Sequence, residues 1–284
     1  MAYWEWGDPA NDRVLMCVHG LSRTGRDFDR LAQRLCDRYR VICPDIVGRG
    51  QSDWLSEPAY YMIPQYLADI VTLLARAQAR ELHWVGTSMG GLIGIMLAGL
   101  PGGSHGSEQR PAPDSLPPIG RMVLNDIGPH VPTAALERIG QYVNDPTDFA
   151  SFEDAVAYIR TVSAPFGPHT EAEWEHLTRF VVKEENGRWV KHYDPGIGRP
   201  FAHIDPRATA GGEAVLWRSF ERVACPTLLL RGRESDVLTA DTAQEMMRRN
   251  GNIRLREFEG VGHTPTLMHD EQIDIVAEFL AGAA

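Results

Sequence analysis

Short apolar runs, each too brief to be a helix, alternate along this chain with longer segments of helical period. That alternation confines it to a parallel sheet covered by helices on both faces. Residues 14–19 (VLMCVH) and 40–43 read as the first two strands, the second closed by Pro44, and 83–85, 122–124, 227–230 and 253–258 supply the others. Between them, residues 28–35 place apolar side chains at 28, 31, 32 and 35, and residues 66–77 put Leu67, Ile70, Val71 and Leu74 on one face. Both are spacings of a helix packed along one side. Residues 88–100, 240–249 and 272–280 read as further helices. Right-handed crossovers bring the C-terminal ends of parallel strands, and the loops leaving them, to one sheet edge. Side chains remote in sequence can meet there.

Two segments break the alternation. Residues 101–120, rich in Gly, Pro and Ser, read as a mobile surface loop. Residues 131–211 carry helical patterns and many aromatics but no core strand, which suggests a helical insertion over the strand ends. At 284 residues the chain suits one catalytic domain with such an insertion.

Composition narrows the function classes. With 43% hydrophobic and 23% charged residues, the chain is an ordinary globular one. A net charge of −10, with no offsetting run of Lys and Arg, argues against a nucleic-acid partner or an anionic membrane surface. Cys17, Cys36, Cys43 and Cys225 form no CxxC pair, which favours reduced thiols and a reducing compartment. Residues 1–7 lack the basic and apolar regions of a signal peptide, and the most apolar stretch, 92–100, is far shorter than a membrane span. The expectation is a soluble, cytoplasmic protein. Oligomeric state is left open, a homo-oligomer included.

The chemistry concentrates on the strand-end loops. Gly86-Thr87-Ser88-Met89-Gly90 fits G-x-S-x-G between an apolar strand and a helix. A sharp strand-to-helix turn exposes such a serine hydroxyl at a helix N-terminus, whose dipole favours negative charge. A helix N-cap serine would not require the two flanking glycines. Acyl transfer also needs two N–H groups aimed at the developing oxyanion. Met89, after the nucleophile, and Leu21, in the loop His19-Gly20-Leu21, are the candidates. His19 reads as a brace for that loop.

A serine needs a base, and the base needs an orienting acid. Of ten histidines, His263, in Gly262-His263-Thr264-Pro265 between the last strand and the last helix, sits on the loop edge. Asp236, beyond the strand and turn of residues 228–235, is the expected acid, with Asp126, after the strand at 122–124, as the alternative from the neighbouring strand. No HExxH or clustered His/Asp spacing suggests a metal.

Together these positions resemble the α/β-hydrolase superfamily over nearly the whole chain. The order Ser88, Asp236, His263 matches it, as do the loop from Pro44-Asp45 to Gly48-Arg49-Gly50-Gln51-Ser52 and the closing Gly262-His263. The resemblance implies an α/β-hydrolase fold: a mostly parallel eight-stranded sheet with helices on both faces. Residues 1–130 and 212–284 would form the core, and 131–211 a helical cap inserted after the sixth strand. It also implies that no cofactor is required. Members with halide or epoxide substrates carry aspartate where Ser88 stands, and ring-cleavage carbon–carbon hydrolases usually carry tryptophan after the histidine, where this chain has Thr264.

The resulting expectation is a serine hydrolase cleaving a small-molecule carboxylic ester or lactone through an acyl-enzyme on Ser88. A carbon–carbon hydrolase, an amidase or a cofactor-free perhydrolase on the same triad is the alternative, and a non-catalytic ligand receptor a second one. Trp174 and Tyr193 are candidates for the pocket roof, although aromatics in a small helical subdomain more often form its own core. Arg160, Arg179 and Arg199 could meet a substrate carboxylate or simply face solvent.

Overall fold

The structure, a computed structural model, describes residues 1–100 and 116–282. Most of the 101–120 segment read as a surface loop therefore lies outside the described residues. The first half of the chain runs β1 (Tyr3–Trp6), β2 (Arg13–Val18), α1 (Asp29–Leu35), β3 (Arg40–Pro44), α2 (Ile63–Ala77), β4 (Glu81–Thr87), α3 (Met89–Ala98) and β5 (Ile119–Asn125). Next come α4 (Thr133–Val143), α5 (Phe152–Val162), α6 (Glu171–Arg179), β6 (Val182–Glu185), β7 (Arg188–Lys191) and α7 (Pro206–Phe220). The chain closes with β8 (Thr227–Gly232), α8 (Ala240–Arg249), β9 (Ile253–Phe258) and α9 (Asp270–Leu280).

Among the described residues the main sheet has seven strands where eight were expected, in the order β1-β3-β2-β4-β5-β8-β9. Every pairing from β3 through β9 is parallel. Only β1, absent from the sequence reading, runs antiparallel, on the outer edge of β3. Its aromatics Tyr3, Trp4 and Trp6 favour strand, but four half-exposed residues give too short a pattern to stand out.

The two sheet faces explain the continuous apolar runs. Val14, Met16 and Val18 face one core with α2, α3 and α8, while Leu15 and Cys17 face the other with α1 and α9. A strand buried on both sides has no polar face to show, hence no alternation. The central helix α3 is buried nearly all round.

The segment between β5 and α7 is not purely helical. β6 and β7 form a separate antiparallel hairpin around Asn186-Gly187, both at positive φ (53° and 77°). That pair is the favoured two-residue hairpin turn, a signal present in the sequence. α7 runs straight through residue 211, the expected end of the insertion. Backbone bonds tie this segment to the strand-end loops: Asp194 N–H to Gly48 O (2.8 Å), Gly50 N–H to His192 O (2.9 Å) and Gly262 N–H to Pro165 O (2.6 Å).

Candidate active site

Ser88 stands between β4 and α3 with φ 50° and ψ −116°, outside the regions that L-residues normally occupy. Such strain costs about 1–3 kcal/mol and persists where the surroundings over-determine it. A Cβ on Gly86 would lie 2.4 Å from Gly90 O, and one on Gly90 would lie 2.0 Å from Val18 O, so the turn closes only with glycine at both positions. The Ser88 N–H is held by Asn125 O at 2.9 Å, which locks the elbow to β5.

The loop after β9 brings His263 to the serine: Nε2 lies 3.0 Å from Ser88 Oγ. On the far side of the ring, Nδ1 lies 2.7 Å from Asp126 Oδ2. A carboxylate acceptor puts the proton on Nδ1 and leaves Nε2 free to accept the hydroxyl proton. Asn125 braces the pair of loops, donating through Nδ2 to Thr87 Oγ1 (3.0 Å) and Pro265 O (2.8 Å).

The acid expectation needs correcting. Asp236 does not reach His263; its carboxylate forms a two-bond ion pair with Arg138 of α4 (2.6 and 2.8 Å) and is 46% exposed. The cause is the preceding residue. Ser235 turns inward, accepting the N–H groups of Val237 and Leu238 and donating to Asp126 Oδ2 at 2.5 Å, so Asp236 faces out. Asp126, fully buried at the end of β5 with φ 55°, also accepts the Gly232 N–H at 2.9 Å. Three donors, His263 Nδ1, Ser235 Oγ and the Gly232 N–H, converge on one carboxylate. The loop after β8 thus braces the Asp126 carboxylate, and its own Asp236 stays apart from His263.

Leu21 and Met89 both border the space beside Ser88. A Cβ on Gly20 would stand 3.8 Å from Ser88 Cβ, so the Leu21 loop passes directly by the elbow. His19 is fully buried; Ile46 N–H donates to its Nε2 (2.9 Å), which leaves Nδ1–H to donate to Gly20 O (2.6 Å). Burial holds its pKa down at about 3, so the ring is neutral at ordinary pH. Arg49, also fully buried, donates from Nε to Leu21 O (2.8 Å) and from Nη1 to Tyr66 Oη (3.0 Å). In the sequence Arg49 stood out only as part of the loop that matches the family. Its support of the Leu21 peptide needed the fold to be seen.

Two chambers meet at Ser88. One, of about 480 Å³, is walled by apolar side chains such as Leu92 and Met96 of α3, Leu136 and Ile139 of α4, and Leu216 of α7. The other, of about 100 Å³, has largely apolar walls but holds the charged side chains of Arg23, Asp27, Arg138 and Lys191, with Tyr158 and Tyr193, and is the more polar chamber of the two. His263, Thr264, Pro265 and Thr266 border only the polar chamber, Met89 only the apolar one, and Leu21, Ser88 and Ile139 both. Tyr193 thus reaches a chamber wall. Trp174 does not: it is buried among Val156, Leu177, Met268 and Phe166, as part of the insertion's own core. Arg160, Arg179 and Arg199 border neither chamber; Arg160 pairs with Glu171, Arg179 lies over Phe152 and Arg199 pairs with Glu57. Among the described residues no cluster of three or more His, Cys, Asp or Glu side chains could hold a metal ion, and no helix is long and apolar enough to cross a membrane.

A strained serine between a parallel strand and a buried helix, with a histidine from the last strand-end loop against it, is the arrangement of one broad family. Residues 15–279 match the family model described as the alpha/beta hydrolase family, and the chain belongs to that family and is a hydrolase. Among its relatives, a 3-hydroxybutyrate-oligomer hydrolase of Cupriavidus necator is 47% identical over 100% of this chain and 93% of its own. An esterase of Mycobacterium tuberculosis is 27% identical, over 91% of this chain and 78% of its own. The solved structure of an alpha/beta hydrolase from Novosphingobium aromaticivorans superposes with a TM-score of 0.80 at 33% identity, covering 98% of this chain and 92% of that one.

Proposed function

We propose that this hydrolase cleaves carboxylic esters through an acyl-enzyme on Ser88, with His263 as general base and acid and Asp126 as the orienting carboxylate. The observation that carries the reading is the unbroken hydrogen-bonded line Ser88 Oγ–His263 Nε2–His263 Nδ1–Asp126 Oδ2, at 3.0 and 2.7 Å. As the Ser88 oxygen bonds to the ester carbonyl carbon, its proton passes to Nε2. Asp126 stabilises the imidazolium that forms. The carbonyl oxygen becomes an oxyanion received by the N–H groups of Leu21 and Met89. The carbon–alkoxy bond then breaks and Nε2 returns the proton to the departing oxygen. A water molecule repeats the sequence to free the acid and restore the serine.

The substrates we propose are short oligoesters of a 3-hydroxy acid, as the name of the 47% identical relative suggests. Two chambers that meet at the nucleophile suit an ester with a chain on each side of the scissile bond. In this reading residues 131–211 act as the cap over the site, and their contribution of Ile139, Tyr158, Lys191 and Tyr193 to the chamber walls supports it.

Purified protein incubated with the linear 3-hydroxybutyrate trimer should release monomer, and a fluorophosphonate should label Ser88. Ser88→Ala should lower turnover by about 10⁶-fold while leaving the thermal unfolding profile in place. Unaltered hydrolysis by Ser88→Ala would refute the assignment of the nucleophile.

A further inference from the structure

The placement of His263 gives the two chambers different duties. The atom that leaves must take its proton from Nε2, so the leaving alcohol has to lie on the histidine side of the scissile bond. His263 borders the polar chamber and not the apolar one. The leaving group therefore occupies the polar chamber, and the acyl chain extends into the apolar one.

The polar chamber is small and cationic at its wall. Three cations, Arg23, Arg138 and Lys191, border it against one carboxylate, Asp27. Asp27 is already engaged by Arg23 through two bonds of 2.7 Å. Lys191 spends its ammonium on Tyr142 O (3.1 Å), Asp145 O (2.6 Å) and Tyr158 Oη (3.2 Å), with the Asp145 carboxylate 4.0 Å away. It lends positive potential without a hydrogen left to donate. Arg138 differs. It binds Asp236 through Nε and Nη2, and a planar guanidinium so engaged turns its Nη1 edge away from that carboxylate. Asp236 itself does not border the chamber.

Resting on the ester-hydrolase reading above, we propose that the polar chamber is a carboxylate-recognising leaving-group subsite, with Arg138 as its anchor. It takes a short hydroxy acid whose hydroxyl is esterified and whose carboxylate is free. The enzyme then cuts one unit at a time from the carboxyl end of an oligoester: the ester carbon–oxygen bond breaks, the oxygen keeps the bonding electrons and takes the Nε2 proton, and a free hydroxy acid departs.

Two single-ester substrates isolate the effect: the butyrate ester of 3-hydroxybutanoic acid and the same ester of 3-hydroxybutanamide. Wild-type kcat/KM should favour the acid by about tenfold or more, the scale of a hydrogen bond to a charged group. In Arg138→Gln the ratio should fall to near one, and in Arg138→Lys, which keeps the charge and loses the fork, it should lie between. Because the ratio is taken within each variant, a general loss of activity does not mimic the result. Raising the salt of the wild-type assay should weaken the preference for the acid, an independent sign needing no variant. Equal rates on acid and amide in the wild type, or a preference surviving Arg138→Gln, would overturn the subsite while leaving the hydrolase reading intact. If neither compound nor p-nitrophenyl butyrate is hydrolysed, both fall together.

Discussion

His19 shows how one side chain ties stability to the site. Its ring accepts the Ile46 N–H and donates to Gly20 O, which holds the loop carrying the Leu21 N–H beside Ser88. The bond from Ile46 requires the neutral ring, and burial keeps the folded pKa at about 3, far below the ordinary histidine value. The unfolded chain takes up a proton at His19 as pH falls below about 6.5, whereas the folded chain does so only near pH 3. This stabilisation is therefore present above pH 6.5 and declines through that window, by up to about 1.4 kcal/mol per pH unit. His83, His169 and His192, also lowered by burial, add to the trend. Urea unfolding at pH 7.0, 6.0 and 5.0 should show the wild type losing stability more steeply than His19→Asn. Equal slopes would show that His19 is not held neutral.

At the level of elements, four helices from different parts of the chain wall the apolar chamber, α2 among them with Ile63, Pro64 and Tyr66. α3 contributes Leu92 and Met96, α4 Leu136 and Ile139, and α7 Leu216. α3 lies directly behind the nucleophile, so its second turn limits how far an acyl chain can run. Met96→Trp should shorten the accepted chain. The ratio of kcat/KM for p-nitrophenyl octanoate to that for the acetate should fall at least tenfold, since each lost methylene contact in such a pocket is worth about 10–200-fold. A ratio unchanged from the wild type would place the acyl chain elsewhere. The elements themselves were unevenly legible. Strands buried on both faces stood out as apolar runs, and one-sided helices by their period. The β6–β7 hairpin went unread because its residues pack within the insertion, although Asn186-Gly187 marked its turn.

For the molecule as a whole, the alternation of strands and helices was enough to predict a sheet with one functional edge. Ser88 and His263 were legible as candidates because each sits in a local signature, a glycine-flanked elbow and a Gly-His loop before the last helix. The acid had no such mark. Asp126 and Asp236 both follow strands, and both fall between Ser88 and His263 in sequence, so chain order could not separate them. The difference lies in tertiary contacts: Ser235 and Gly232 turn toward Asp126, while Arg138, from the insertion, draws Asp236 outward. The most direct test compares kcat/KM on p-nitrophenyl butyrate for Asp126→Asn and Asp236→Asn. Asp126→Asn should lose about 10⁴-fold, the cost of the same amide change in another serine triad, and Asp236→Asn should lose less than about tenfold. A comparable loss in Asp236→Asn, or an Asp126→Asn enzyme within about tenfold of the wild type, would contradict the assignment of Asp126 as the orienting carboxylate.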